Sequence, residues 1–206
     1  MVLNAYGPAP GRGHYDRSQN RSERHVSQRG RLSNAVCGVL AEEGPQGATV
    51  DRIIRRAKVG RSTFYAHFRD VSEAIEAATT SAASAVFETL DQTPVDARTP
   101  LERLRRFART WFQVVTTGRA EVECALAVLP GTRSVLSAAG ERLCERLKVL
   151  IGDAQKSAAL GTPVETPRLI ACASAIEGLT RAFLAARISR AEAEMALVDV
   201  CVRLFR

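Results

Sequence analysis

The segment Lys58-Val59-Gly60-Arg61-Ser62-Thr63-Phe64-Tyr65-Ala66-His67-Phe68 gathers side chains whose chemistry suits a polyanion with readable edges. Arg61 offers a planar fork of donors that fits guanine or a phosphate. The hydroxyls of Ser62 and Thr63 reach phosphates or either class of base, and the Thr63 methyl can lie against thymine. Phe64 and Phe68 stand four residues apart, so on a helix they share one face and can anchor it to a core. Arg61, Ser62, Thr63, Tyr65 and His67 are then left to face outward.

The elements around this segment must present it. Thr49 is a plausible N-cap, Asp51 lies in the first turn that follows, and Ile53, Ile54 and Ala57 form an inward face. Two short helices thus flank a turn of about four residues near Lys58-Val59-Gly60, the geometry a helix-turn-helix needs to lay its second helix in a major groove. Thr49 and Lys58 complete the candidate DNA-contact set.

Charge follows the same division. The 206-residue chain has a formal net charge of +7. Residues 1–70 hold 12 basic and 6 acidic side chains, whereas residues 71–206 hold 17 and 16. A basic first third joined to a near-neutral remainder fits a module that meets a polyanion and a second that does something else. Of the basic residues, 26 are Arg and 3 are Lys. Guanidinium forks suit phosphates and base edges better than ammonium points do.

Other chemistries lack their residues. No GxxxxGK[ST], HExxH or GxSxG pattern occurs, and GRGHYD at 11–16 lacks the third glycine and a preceding strand. Glu121 and Glu123 read as solvated carboxylates, so no enzyme is expected. The three histidines do not cluster and the five cysteines form no CxxC pair, so neither a metal site nor a cofactor is expected. Four of the five cysteines lie in apolar helical patterns and read as buried, reduced thiols of a cytoplasmic protein. No apolar run approaches the roughly 18 residues of a membrane span, and the N-terminus has no apolar secretory core.

Residues 1–28, rich in Gly, Pro, Ser, Asn and Arg, read as a flexible basic arm. Helical periodicity begins with Leu32, Ala35, Val36, Val39 and Leu40 and runs almost throughout, with stops at Gly44, Gly118 and Pro130-Gly131. Caps at Asp70, Thr99 and Ser189 start further helices. About nine helices and no alternating strand pattern make the fold class all-α, with a helix-turn-helix domain over 29–70 and a helical domain over 71–206.

In these residues the chain resembles the TetR family of transcriptional regulators. The resemblance is carried by LAEEG (40–44), GATVDRIIRRA (47–57), KVGRSTFYAHF (58–68) and the acid-capped helix that follows, at the family's usual length. It departs from the family at Gly60, where Ser is common, and at Val71, where Lys is usual. The resemblance implies a helical sensor domain and a repressor released from a palindromic operator by a small molecule. Phe107, Trp111, Val115 and Cys124 are the candidate lining of an apolar effector pocket. Apolar stripes through Ile176, Phe183, Val198 and Val202 on the last two helices are the candidate homodimer interface. The expected partners are therefore an operator duplex, an apolar effector and a second copy of the chain. The competing function class is an all-α ligand-binding or interaction protein without specific DNA recognition.

Overall fold

Several helix starts in this chain are set by side-chain oxygens that accept first-turn N–H groups. Thr49 accepts from the Arg52 amide, Asp70 from Glu73 at 2.8 Å, Thr99 from Glu102 at 3.2 Å and Ser189 from Glu192 at 3.3 Å. Glu102 and Glu192 return the favour to the amides of Thr99 and Ser189, which completes two capping boxes.

The computed structural model describes residues 21–92, 99–127, 136–156 and 165–205. Among these residues all regular structure is helical. The helices are α1 (Arg21–Gly47), α2 (Val50–Ala57), α3 (Arg61–His67), α4 (Val71–Asp91), α5 (Pro100–Thr117), α6 (Arg119–Ala125), α7 (Ala138–Lys156), α8 (Thr166–Leu184) and α9 (Arg190–Phe205). None is long and apolar enough to cross a membrane. Gly44, at φ 68°, breaks the run of α1 ahead of Pro45, as the sequence pattern expects.

Other boundaries differ from the sequence reading. Residues 21–28, assigned to the arm, are the first two turns of α1, while residues 1–20 lie outside the described residues. Helix α6 ends at Ala125 rather than Leu129, because Leu126 and Ala127 already form a turn. Helix α8 ends at Leu184, and Ala186 just beyond it takes a left-handed φ of 53°.

Helices α1, α2 and α3 pack together, α4 runs from them against α6 and α7, and α5, α7, α8 and α9 complete the body. The start of α7 is tied to α8 through the buried Glu177. One of its oxygens accepts from the Ser137 amide at 3.2 Å and the Ser137 hydroxyl at 2.7 Å, and Arg181 donates to the other at 3.2 Å. A Cβ at Gly140 would overlap that carboxylate, so this close approach requires glycine.

Arginine does much of the joining between helices. Arg119 donates to the Leu184 carbonyl (2.9 Å), Arg168 to Leu204 (2.8 Å), Arg181 to Leu126 (2.8 Å) and Arg29 to His67 (3.3 Å). Each satisfies a carbonyl near a helix C-terminus that the helix itself leaves without a partner.

Cys37 and Cys124 are joined by a disulfide that links α1 to α6, with their Cα atoms 5.0 Å apart. The expectation of reduced thiols fails for this pair. Helical periodicity is read over a few turns, so it could not pair residues 87 positions apart. Cys144, Cys172 and Cys201 are free, and the last two bring their sulfurs to 3.4 Å inside the core.

Trp111 is fully buried, and its indole N–H donates to the Thr180 hydroxyl at 2.9 Å. Its ring lies 5.8 Å from Phe87 and 6.3 Å from Phe107. Replacing Thr180 by Val keeps the volume and orphans the N–H, a loss of about 1–3 kcal/mol. At about 2–4 °C per kcal/mol for a chain of this size, thermal melts should show Thr180→Val unfolding roughly 2–12 °C below the parent.

His67, grouped with the outward-facing side chains of α3, is instead buried against α1. The reason is geometric: α3 turns its last residue under α1, where the His25 ring lies 4.1 Å away and Arg29 donates to the His67 carbonyl. Burial, with help from His25 and Arg29, holds the His67 imidazole below its ordinary pKa. The folded state therefore binds this proton less readily than the unfolded chain does. Above the ordinary value of about 6.5 the group contributes no pH dependence, and stability falls as pH drops through it. His67→Phe keeps an aromatic contact and removes the titration, so urea midpoints at pH 7.5 and pH 5 should differ less for this variant than for the parent.

Candidate nucleic-acid interface

Helix α3 has seven residues, too few to be stable alone in water. Phe64 and Phe68 hold it. Both are essentially fully buried, with ring centroids 5.8 Å apart, and the Arg29 guanidinium covers the Phe68 ring at 4.8 Å. With that face fixed, Arg61, Ser62 and Tyr65 lie exposed, and Thr63 is half-buried at the edge. Tyr65 keeps 52% of its surface in solvent while its ring meets Phe64 edge-on at 5.3 Å. The polar set therefore divides: Arg61, Ser62, Thr63 and Tyr65 stand together, and His67 leaves it.

The turn before α3 is closed by Lys58, which caps α2 in the left-handed conformation at φ 53° and ψ 46°. Its amide and that of Val59 reach back to the Arg55 and Ile54 carbonyls. A side chain other than glycine there costs about 1–2 kcal/mol, and the exposed ammonium is what that position gains. Gly60 then N-caps α3 without a side-chain bond. Thr49 is exposed with its hydroxyl at the start of α2, where it caps that helix.

The basic residues of α2 and α3 are arranged by carboxylates that the sequence reading did not pair with them. Arg52 pairs with Glu43, Arg56 with Glu42 at 2.7 Å and Arg61 with Asp51 at 2.5 Å. The first two pairs tie α2 to the end of α1. In the third, Asp51 on α2 steadies the Arg61 fork on α3 and holds its proton more firmly. Arg55 and Lys58 have no ion-pair partner among the described residues, and both are exposed. Ion pairs between such exposed groups are screened by solvent and contribute little, so a phosphate or base could displace a carboxylate at small cost.

The remaining candidates are less uniform. Phe107, Trp111 and Val115 lie on one side of α5 and are buried, but the Trp111 N–H is already satisfied by Thr180. Cys124 is buried in the disulfide to α1 and is not part of the lining of the cavity beside Phe107. The space beside this cluster is a cavity of about 20 Å³ next to Phe107, between Leu90 of α4, Arg103 and Arg106 of α5, and Arg146 and Leu150 of α7. The Nε groups of Arg103 and Arg146 are buried without a hydrogen-bond partner. Their terminal nitrogens pair with Asp153 at 3.2 Å and Asp91 at 2.7 Å.

On the last two helices, Ile176 is buried within the protomer, so it cannot meet a second copy. Helical spacing alone does not say which neighbour covers an apolar stripe, and here α7 and α9 flank α8. Phe183 packs edge-on against Phe112 with centroids 5.5 Å apart. Val198 and Val202 are half-buried, and Met195, one turn away on α9, is 66% exposed.

Comparison with known proteins agrees with this architecture. Residues 34–78, from α1 to the first turns of α4, match the family model described as bacterial regulatory proteins, tetR family. No curated relative matches the sequence. Among solved structures, a protein from Shewanella sp. PV-4 assigned to the tetR family of transcription regulators superposes with a TM-score of 0.69 at 13% identity, covering 86% of this chain and 97% of that one. The fatty acid degradation regulator FadR from Bacillus halodurans gives 0.66 at 14% identity, over 86% and 94%. A TetR family transcription regulator from Marinobacter aquaeolei VT8 gives 0.64 at 18% identity, over 89% and 98%. The chain thus carries the sequence of the tetR-family helix-turn-helix module at residues 34–78 and has the all-α fold of the TetR-family transcriptional regulators.

Proposed function

We propose that the protein is a homodimeric transcriptional repressor that binds a palindromic operator through α3 and leaves it when a small molecule enters the helical body. The observation that carries this reading is the division of α3 into a buried Phe64–Phe68 anchor and an exposed Arg61, Ser62 and Tyr65 edge, inside a segment that matches the tetR-family module. Arg61 and the hydroxyls of Ser62, Thr63 and Tyr65 contact base edges or phosphates, while Thr49, Arg55 and Lys58 contact the backbone.

The effector enters beside Phe107. The apolar floor of the small cavity and the two unsatisfied guanidinium Nε groups of Arg103 and Arg146 favour an apolar body ending in an acid. A cavity of about 20 Å³ holds no such molecule until α4 and α7 part. Because α4 leads directly into the reader, opening the cavity shifts the reader as well, and effector and DNA weaken each other by the same factor.

The dimer forms on the outer faces of α8 and α9. Ala171, Ser174 and Gly178 give α8 an exposed stripe that lets a second helix approach, and Met195, Val198 and Val202 share one face of α9. Two recognition helices related by a twofold axis then meet half-sites about 34–36 Å apart, or a multiple of that. Phe183, held by Phe112, supports this face from behind.

The competing reading is an all-α ligand-binding protein whose basic first third makes no specific DNA contact. Salt separates the two, since phosphate neutralisation gives a steep negative slope of log affinity against log salt. Fluorescence anisotropy on a duplex selected in vitro should show that slope. Lys58→Gly should flatten it by about one unit while leaving the melting temperature nearly unchanged, because relief of the left-handed lysine offsets the added freedom of the unfolded chain. Tyr65→Phe should weaken the specific duplex by about 1–3 kcal/mol if its hydroxyl reads a base. A slope near zero for the parent protein would favour the competing reading.

Met195→Glu tests the interface. Sedimentation velocity should find the parent as a dimer and this variant shifted toward monomer, with its helical content unchanged.

A further inference from the structure

The disulfide between Cys37 and Cys124 crosses the joint that a ligand-responsive regulator has to move. Cys37 lies on α1, the helix against which α2 and α3 pack. Cys124 lies on α6, a short helix packed on α4. The second close pair makes a useful contrast. Cys172 and Cys201 are buried thiols joining α8 to α9, so a bond between them would clamp two neighbouring helices of the body and leave the reader untouched. Of the two pairs, only Cys37–Cys124 bears on how α1–α3 sit relative to the rest.

Access is also unequal along this bond. Cys124 is fully buried, whereas Cys37 is half-buried on the side of α1 that meets α6. Cys37 is thus the less buried of the two, and the side from which a thiolate approaches the bond.

We propose that Cys37 and Cys124 form a thiol–disulfide sensing site, whose oxidised form clamps the α1–α3 reader onto α6 and raises its affinity for DNA. The co-reactant is a dithiol. One of its thiolates attacks the Cys37 sulfur, the Cys37–Cys124 bond breaks, and the Cys124 sulfur leaves with the electron pair and takes a proton. The second thiol of the reductant then displaces Cys37 from the mixed disulfide. The protein has gained two electrons and two protons, and the dithiol has become a disulfide. Exchange in the opposite direction restores the clamp. A clamped reader samples fewer positions, so DNA binding orders less of the chain and the affinity is higher. The proposal adds a redox input to the effector input and rests on the reading of α3 as a DNA-contacting helix.

The test uses the full-length protein, purified without reductant, and the same protein after dithiothreitol. Peptide mass spectrometry under non-reducing conditions should find Cys37 linked to Cys124. Anisotropy with an in vitro selected duplex should then give an affinity at least fivefold higher for the oxidised form. That difference should vanish in Cys37→Ser and persist in a Cys172→Ser, Cys201→Ser double variant. Hydrogen exchange should show α1–α3 opening faster after reduction in the parent, and equally fast with and without reductant in Cys37→Ser. Absence of the linked peptide overturns the proposal, as does equal or higher affinity in the reduced form. If neither form binds DNA, the DNA-binding reading has failed, and the sensing site is judged by exchange alone: equal exchange in the two redox states rejects it. Circular dichroism on Cys37→Ser separates loss of the clamp from loss of the fold, and Cys37→Ala serves where serine disturbs packing.

Discussion

A helix of seven residues in water does not persist, and α3 is such a helix. Its conformation is borrowed from the burial of Phe64 and Phe68 beneath α1, at about 1.5–3 kcal/mol for each fully buried aromatic. The exposed edge of α3 hangs on that anchor. The same two rings set the rotation of α3, and the rotation decides that Arg61, Ser62 and Tyr65 meet solvent while His67 goes under α1. The Arg29 guanidinium over Phe68, also bonded to the last carbonyl of α3, closes the end of the element. Reader and frame are therefore one packing unit, and a change in α1 reaches α3 directly.

Arginine serves two purposes that composition cannot separate. On α2 and α3 its forks are paired with carboxylates in solvent, where each pair contributes little and exchanges readily. In the body its forks reach across to the open carbonyls of other helices and hold helix ends in place. The guanidinium suits both uses because it presents several donors in fixed directions and stays charged. The excess of positive charge lies in the first third, but the abundance of arginine belongs to the whole architecture.

The joint between reader and body is made of α4, which is continuous from Val71 to Asp91, and of the contact between α1 and α6. A helix moves as a rod, so a shift at the body end of α4, near Leu90, tilts its start beside α3. The α1–α6 contact resists that tilt and is covalent where Cys37 meets Cys124. The ligand coupling proposed above has to pass through these two links, a continuous helix and a covalently fastened contact. The body offers its unsatisfied donors, on Arg103 and Arg146, beside the far end of the lever.

Local signals determined the all-α class, most helix starts and the short helix α3. Thr49, Asp70, Thr99 and Ser189 act on amides three residues away, and Phe64 and Phe68 share a face because a helix repeats every 3.6 residues. Those interactions are contained in a few consecutive residues, so a single chain displays them. Tertiary structure decided the rest. It put His67 under α1, matched Asp51 with Arg61 across the turn, gave the Trp111 N–H to Thr180, 69 residues away, and bonded Cys37 to Cys124. It also turned Ile176 inward, although its periodicity equals that of an interface residue. Periodicity reports that a side chain is covered; which partner covers it depends on how rods many residues apart are laid against one another, and no short window of sequence contains that information.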